Sequence, residues 1–98
     1  EIFRQRRDAA VSAFRANGFP GVGSPQASMY LWVPLPAGIS SMEFHERCMQ
    51  DEGVIVLAGA ALGAGGEGFF RISFITSPER IAEAAVRCGR VLRRMVDG

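Results

Sequence analysis

The stretch from Gly59 to Ile75 carries the residues of this sequence that are best placed to do chemistry. It reads GAALGAGGEGFFRISFI, a glycine-rich segment with one carboxylate, Glu67, followed by an apolar run with one arginine, Arg71. Successive side chains of a strand point to opposite faces, so Phe70 and Ile72 share one face and Arg71 lies on the other. A charged group in a buried strand is stable only when it is paired. The sequence therefore raises the question of what Arg71 binds.

Two partners for Arg71 fit this pattern. The first is a structural ion pair with Glu67 or with another acidic residue of the chain. The second is the carboxylate of a ligand, which the planar guanidinium group can bind through two parallel hydrogen bonds. A strand backbone holds a side chain more rigidly than a loop does, and this favours the ligand.

The glycines alone do not predict a nucleotide site. Gly63, Gly65 and Gly68 have the spacing G-x-G-x-x-G, but a dinucleotide site needs this motif to open a helix, and here it precedes a strand. All eleven basic residues are arginines. The absence of lysine from the sequence excludes a P-loop and a lysine nucleophile.

Neither a metal site nor a disulfide is expected. His45 and Cys48 are three residues apart on a predicted helix, but no second pair of ligands accompanies them, and structural zinc needs four. Cys48 and Cys88 are read as small buried apolar residues. Tyr30 and Trp32 could stack on a planar ligand, although aromatic residues of a strand more often pack against a neighbouring helix or domain.

Length and charge set the limits of the prediction. A chain of 98 residues forms one domain at most. The net charge is +1 and the basic residues occur in pairs at most, which gives no indication of nucleic-acid binding. No long apolar span or signal peptide indicates a membrane or secretion, so a cytoplasmic location is the default expectation.

Hydrophobic periodicity and capping residues predict a small α+β fold. The pattern favours a mostly antiparallel sheet with helices packed on one face. The predicted elements are a helix at Glu1–Asn17, a strand at Ala27–Val33, a helix at Ser40–Glu52 with Ser40 as its cap and Gly53 at its end, a strand at Val54–Leu57, a strand from Phe69 to Ile75, and a helix capped by Ser77.

The strand at Ala27–Val33 is apolar on both faces. Such a strand is normally covered on both sides, and this chain has few elements with which to cover it. The sequence also begins at Glu1 directly within a helical pattern. Both features lead us to expect a fragment of a larger protein, with exposed apolar surface around Tyr30, Trp32 and the first helix.

Four segments in order resemble one known domain. They are ASMYLWVPLP, SMEF at the start of a helix, GVIVLAG and GEGFFRISF, followed by a capped final helix. Together they are similar to the C-terminal small domain of class I/II, fold-type I aminotransferases that depend on pyridoxal 5'-phosphate. The resemblance covers essentially the whole chain, and it is strongest to the branch of LL-diaminopimelate and succinyldiaminopimelate aminotransferases, which would place the enzyme in lysine biosynthesis.

The resemblance implies a role for particular residues. In that family the arginine of the F-R-I/L-S strand binds the α-carboxylate of the substrate, and this role falls on Arg71. Gly59 and Glu67 would be loop neighbours of the substrate. One departure is Ala58, where the family usually has proline, which leaves the shape of the loop open.

The resemblance also implies what lies outside this chain. Residues 1–98 would be the small domain, with residues 1–17 forming the helix that leads in from an N-terminal large domain. That large domain would bind pyridoxal 5'-phosphate, so no catalytic residue is expected here. The substrates would be an amino acid and a 2-oxo acid, and the enzyme a homodimer. The alternative is a stand-alone α+β module that binds a small ligand or regulates, without catalysis.

Overall fold

The computed structural model describes residues 2–23, 29–63, 65–74 and 76–97. Glu1, Ile75 and the first two residues of the predicted strand at Ala27–Val33 lie outside the described residues. The predicted order of elements is confirmed. The elements are α1 (Ile2–Ala16), β1 (Tyr30–Pro34), α2 (Ser41–Glu52), β2 (Leu57–Ala58), β3 (Phe69–Ser73) and α3 (Pro78–Asp97), with a short 3-10 turn at Gly59–Leu62.

The three strands form one antiparallel sheet in the order β1-β3-β2. The predicted α+β class with a small antiparallel sheet is therefore confirmed. β3 lies in the centre, and its Arg71 pairs with Trp32 of β1 on one side and with Leu57 of β2 on the other. β3 is the last strand in the sequence but the central strand of the sheet. The glycine-rich segment therefore has to bring the chain back between β1 and β2.

The predicted helix caps are present. The Ser40 hydroxyl accepts a hydrogen bond from the Glu43 N–H at the start of α2, and Gly53 ends this helix in the left-handed conformation, with φ of 67°. At the start of α3, the Ser77 hydroxyl accepts from the Arg80 N–H. These local signals located the helix ends because each cap involves residues within five positions of one another.

The prediction of a strand at Val54–Leu57 was wrong in its bounds. The ladder with β3 contains Leu57 and Ala58 alone. The Val54 N–H donates to the carbonyl of Cys48 and so completes the end of α2. The carbonyl oxygen of Val56 is bound by the His45 ring, and Val56 lies outside the ladder with β3. An apolar run is therefore divided between a helix end and a short strand.

Helices cover one face of the sheet. Phe70 of β3 is fully buried there, with its ring centroid 6.1 Å from that of Phe14 in α1, 5.5 Å from Phe19 and 4.8 Å from Phe44 in α2. Leu31 and Val33 of β1 are buried on the same side. Helical periodicity in the sequence predicts an apolar stripe on α3 that consists of Ile81, Ala84, Ala85, Cys88, Val91, Leu92 and Met95. This prediction is confirmed for the members that are buried: Ile81, Ala85, Cys88, Val91 and Leu92.

The sequence alone favours a solvated face on α2 formed by its acidic residues Glu43, Glu46, Asp51 and Glu52, and this prediction was wrong for Glu52. Its side chain is only 9% exposed, and its two carboxylate oxygens accept from Arg90 and Arg94 of α3, each at 3.0 Å. Glu43, Glu46 and Asp51 are exposed as expected. The difference arises because α3 crosses the C-terminal end of α2, where Glu52 lies.

The other face of the sheet, called here the outer face, is not covered by the part of the chain that the structure describes. It presents Tyr30, Trp32, Leu57 and Phe69, which are between 37% and 45% exposed, together with Arg71. The expected apolar surface around Tyr30 and Trp32 is thus present. Among the described residues, no helix is long and apolar enough to cross a membrane.

Candidate functional site

Arg71 lies at the centre of the outer face. Its backbone is flanked by Trp32 and Leu57 on the neighbouring strands, and its side chain is half-buried. The guanidinium carbon lies 4.1 Å from the centroid of the Tyr30 ring, a distance typical of a cation–π contact. The Nε atom is buried and has no hydrogen-bond partner among the described residues. An arginine with an unused donor in an apolar surface is suited to an anionic ligand.

The alternative of a structural ion pair gains no support. Within the described ranges, none of the ion pairs involves Arg71. Glu67, the predicted candidate partner, binds a different part of the fold. Ligand binding by Arg71 remains a prediction.

The Glu67 carboxylate binds the first turn of α2. Its two oxygens lie 3.3 and 3.1 Å from the backbone nitrogen of Ser41, and one of them accepts from the N–H of Gly68 at 2.6 Å. A hydrogen bond from the Ser41 side chain is the main cause that lowers the pKa of Glu67, and the N–H groups of Gly68 and Ser41 lower it further. The Ser41 hydroxyl also accepts from the N–H of Ala60 at 3.2 Å. The carboxylate therefore stays ionised and joins the loop to α2.

The glycine loop, Gly59–Gly68, crosses itself at Gly59 and Gly66. A Cβ atom added to Gly59 would overlap the carbonyl oxygen of Gly66 and would lie 2.6 Å from that of Phe69. A Cβ atom on Gly66 would overlap the carbonyl oxygen of Gly59 in turn. Gly68 has φ of 99°, in the region that favours glycine, and it turns the chain into β3. These glycines are required for close backbone approach rather than for phosphate binding.

A shallow cavity of about 350 Å³ opens between this loop and the outer face. The rings of Trp32 and Phe69 meet edge to face beside it, with their centroids 6.4 Å apart. Its walls are apolar side chains and glycine backbone: Trp32, Gly59, Leu62, Gly63, Gly65, Gly66 and Phe69. Gly59 therefore lines a cavity on the same side of the sheet as Arg71, whereas Glu67 points toward α2.

His45 and Cys48 do not converge on a common point. The His45 Nδ1 atom lies 2.6 Å from the carbonyl oxygen of Val56, which can only accept, so Nδ1 carries the proton. Cys48 is buried in the core, where the prediction of a small apolar residue is confirmed, and the neighbouring Cys88 thiol has its pKa raised mainly by the hydrogen bond with Cys48 and by burial. Across the ranges described, no three His, Cys, Asp or Glu side chains are grouped to hold a metal ion.

One residue of the site, Ser41, and one contact, that of Tyr30 with Arg71, were not identified from the sequence. Ser41 follows the cap residue Ser40, and only Ser40 was identified. Two consecutive serines at the start of a helix could have indicated that the second one binds another part of the chain. Tyr30 was predicted to stack on a planar ligand or to pack against a neighbouring helix or domain, whereas its ring lies against Arg71 of β3. Finding this contact requires the pairing of β1 with β3, which sequence periodicity does not give.

Comparison with known proteins identifies the wider family of this chain. Residues 1–87 match the sequence profile described as aminotransferase class I and II. Over 87 residues, the chain is 40% identical to an LL-diaminopimelate aminotransferase from Oleidesulfovibrio alaskensis, a match that includes 89% of this chain and 22% of the relative. The chain thus spans about a quarter or less of the curated relatives it matches.

Solved structures give the same fold. A probable N-succinyldiaminopimelate aminotransferase from Thermus thermophilus has a TM-score of 0.79 at 33% identity, covering 92% of this chain and 24% of that one. An α-aminoadipate aminotransferase from the same species, complexed with N-(5'-phosphopyridoxyl)-L-leucine, has a TM-score of 0.83 at 28% identity, covering 98% of this chain and 26% of that one.

Proposed function

The chain belongs to the family of class I and II aminotransferases, and we propose that within it this chain is the small domain that binds the substrate carboxylate through Arg71. The observation that carries the proposal is the state of Arg71 itself. Its guanidinium lies on an uncovered apolar face, takes part in no described ion pair, and has a buried Nε without a hydrogen-bond partner. A carboxylate that contacts the guanidinium group would accept hydrogen bonds that no described acidic residue accepts.

The proposed contribution of Arg71 is substrate orientation. A carboxylate bound through two parallel hydrogen bonds has its plane fixed, so the α-carbon and its amino group point in one direction. Fixing a reacting group in this way lowers the entropic part of the barrier. The amino acid and the 2-oxo acid of an amino-group transfer carry the same carboxylate, and one arginine can serve both.

This chain does not fit the attachment of pyridoxal 5'-phosphate. Attachment of the cofactor would require a lysine amine, and the sequence contains no lysine. When bound, the cofactor supplies electron withdrawal from the substrate α-carbon. We place it on a large domain outside this chain, with which the chain would form a complete enzyme, and we place no catalytic residue within residues 1–98.

The substrate side chain is proposed at a coarser level. The relatives that match include proteins named for LL-diaminopimelate, N-succinyldiaminopimelate and α-aminoadipate, so LL-diaminopimelate is the first amino acid to test. These compounds share a 2-amino carboxylate group and differ in the distal part of the side chain. The group that Arg71 would bind is the shared one.

The test is a conservative substitution in the full-length protein that the gene encodes. Replacing Arg71 with lysine keeps the charge and removes the planar pair of donors. We expect kcat/KM to fall roughly 30- to 900-fold for the amino acid and for the 2-oxo acid alike. This fall corresponds to a loss of about 2–4 kcal/mol of transition-state stabilisation. Arg93→Lys, an exposed position on α3, is the matched control. Unchanged kinetics in Arg71→Lys would contradict the proposal.

A further inference from the structure

No ion pair among the described residues holds the side chain of Arg71. The guanidinium lies against the Tyr30 ring, and its Nε has no hydrogen-bond partner among the described residues. A cation–π contact restrains distance from the ring but leaves the direction of the N–H groups loosely defined. The direction in which Arg71 faces a ligand must therefore be set mainly by the backbone of β3.

The entry of the chain into β3 is held at two points. The carbonyl of Gly68 accepts from the N–H of Leu35 at 2.7 Å, which ties the entry to the end of β1. One residue earlier, the Glu67 carboxylate binds the backbone of Ser41 at the start of α2. Beyond these two bonds, β3 begins at Phe69, and Arg71 follows two residues later.

The second of these points depends on one side chain. A carboxylate at the N-terminal end of a helix accepts from free N–H groups and interacts favourably with the helix dipole. Glu67 provides this interaction from a loop 26 residues away along the chain. Its second contact, the N–H of Gly68, lies in the peptide that leads directly into the strand.

We propose that Glu67 is a positioning residue for Arg71, because it joins the glycine loop to α2 and thereby fixes the position from which β3 presents the guanidinium. The inference rests on the proposed carboxylate-binding role of Arg71. It differs from the expectation of Glu67 as a substrate neighbour. The oxygens of Glu67 already accept from Ser41 and Gly68, and a second carboxylate beside them would be repelled.

The experiment compares Glu67→Gln and Glu43→Gln in the full-length enzyme, assayed with the amino acid and the 2-oxo acid. Glu43 is an exposed carboxylate in the first turn of the same helix, so its substitution removes the same charge near α2 without touching the loop. We expect Glu67→Gln to raise KM for both substrates by roughly three- to tenfold, as for one charge-assisted hydrogen bond, with little change in kcat. Glu43→Gln should leave KM unchanged.

A double-mutant cycle shows whether Glu67 acts through Arg71. In an Arg71→Ala background, Glu67→Gln should lower kcat/KM no further, because the group that it positions is gone. Equal effects of Glu67→Gln in both backgrounds would overturn the inference. The inference would also be overturned if Arg71→Ala raises KM but Glu67→Gln leaves KM unchanged. Should Arg71→Ala itself leave KM unchanged, the proposed function fails first and the inference with it.

A second variant protects the test against loss of folding. Ser41→Ala removes the hydroxyl that hydrogen-bonds Glu67 and keeps the backbone N–H. We expect a smaller rise in KM in the same direction, again absent from the Arg71→Ala background. If Glu67→Gln and Ser41→Ala lower the melting temperature without changing KM, Glu67 stabilises the fold only, and the inference is overturned.

Discussion

At the scale of single residues, the contact between Tyr30 and Arg71 has a different consequence from an ion pair. An acidic partner would neutralise Arg71 and compete with a ligand carboxylate. The face of an aromatic ring stabilises the cation by a smaller amount and leaves its hydrogen-bond donors free. The outer face thus holds the Arg71 guanidinium at its centre, and no described acidic side chain blocks a ligand from binding it.

The ring of Tyr30, rather than its hydroxyl, should be what assists Arg71. We expect Tyr30→Leu in the full-length enzyme to raise KM for the amino acid by about 0.5–1 kcal/mol, or roughly two- to fivefold, as for a cation–π contact at an exposed site. Tyr30→Phe keeps the ring that contacts Arg71 and should raise KM by less than Tyr30→Leu does. Equal losses in both variants would instead assign the effect to the hydroxyl group.

At the scale of elements, the glycine loop does different work from the motif that its spacing suggests. In a dinucleotide site, glycines let the phosphates approach a helix N-terminus. Here Gly59 and Gly66 let two parts of the backbone approach each other, and the helix N-terminus at α2 receives the carboxylate of Glu67. The loop supplies its own anion to the helix.

The crossing point should tolerate no side chain. Gly59→Ala places a Cβ against the backbone oxygens of Gly66 and Phe69, neither of which can move without opening the loop. We expect a loss of about 1–3 kcal/mol of stability, the range for overpacking, measured as a lower melting temperature of the full-length protein. Gly23→Ala is the control, because a Cβ atom added at Gly23 would meet nothing within 4 Å. A Gly59→Ala protein as stable as the control would contradict the crossing geometry.

At the scale of the whole molecule, the two faces of the sheet have opposite surroundings. One face is packed against the helices around Phe70, whereas the outer face leaves Trp32, Leu57 and Phe69 more than a third exposed. Contiguous exposed apolar groups mark interaction surfaces. We propose that a large domain covers this face in the complete enzyme, which would also enclose Arg71 and strengthen its electrostatic interactions.

Without such a cover, the chain expressed alone should associate through the outer face. We expect light scattering after size exclusion to show species larger than a monomer, and Trp32→Ser to reduce them. Met49→Ser is the matched control, since Met49 has a similar exposure, 47% against 45%, but lies on α2. A monomeric chain whose behaviour neither substitution changes would favour the alternative of a stand-alone binding module.

The amino-acid sequence by itself determined the features that depend on near neighbours. The caps at Ser40, Gly53 and Ser77 involve residues a few positions apart, so composition and spacing were sufficient to locate the helices. The alternation of side chains along β3 separated Arg71 from Phe70 for the same reason. The absence of lysine followed from the composition alone.

Only the tertiary structure decided which groups meet across the chain. The sequence offered Glu67 as a partner for Arg71, and the fold placed it on Ser41 instead, because the glycine loop turns the carboxylate toward α2. The central place of β3 brought Tyr30 beside Arg71. These contacts depend on strand order and loop path, which are set by the packing of the whole chain and leave no local pattern in the sequence.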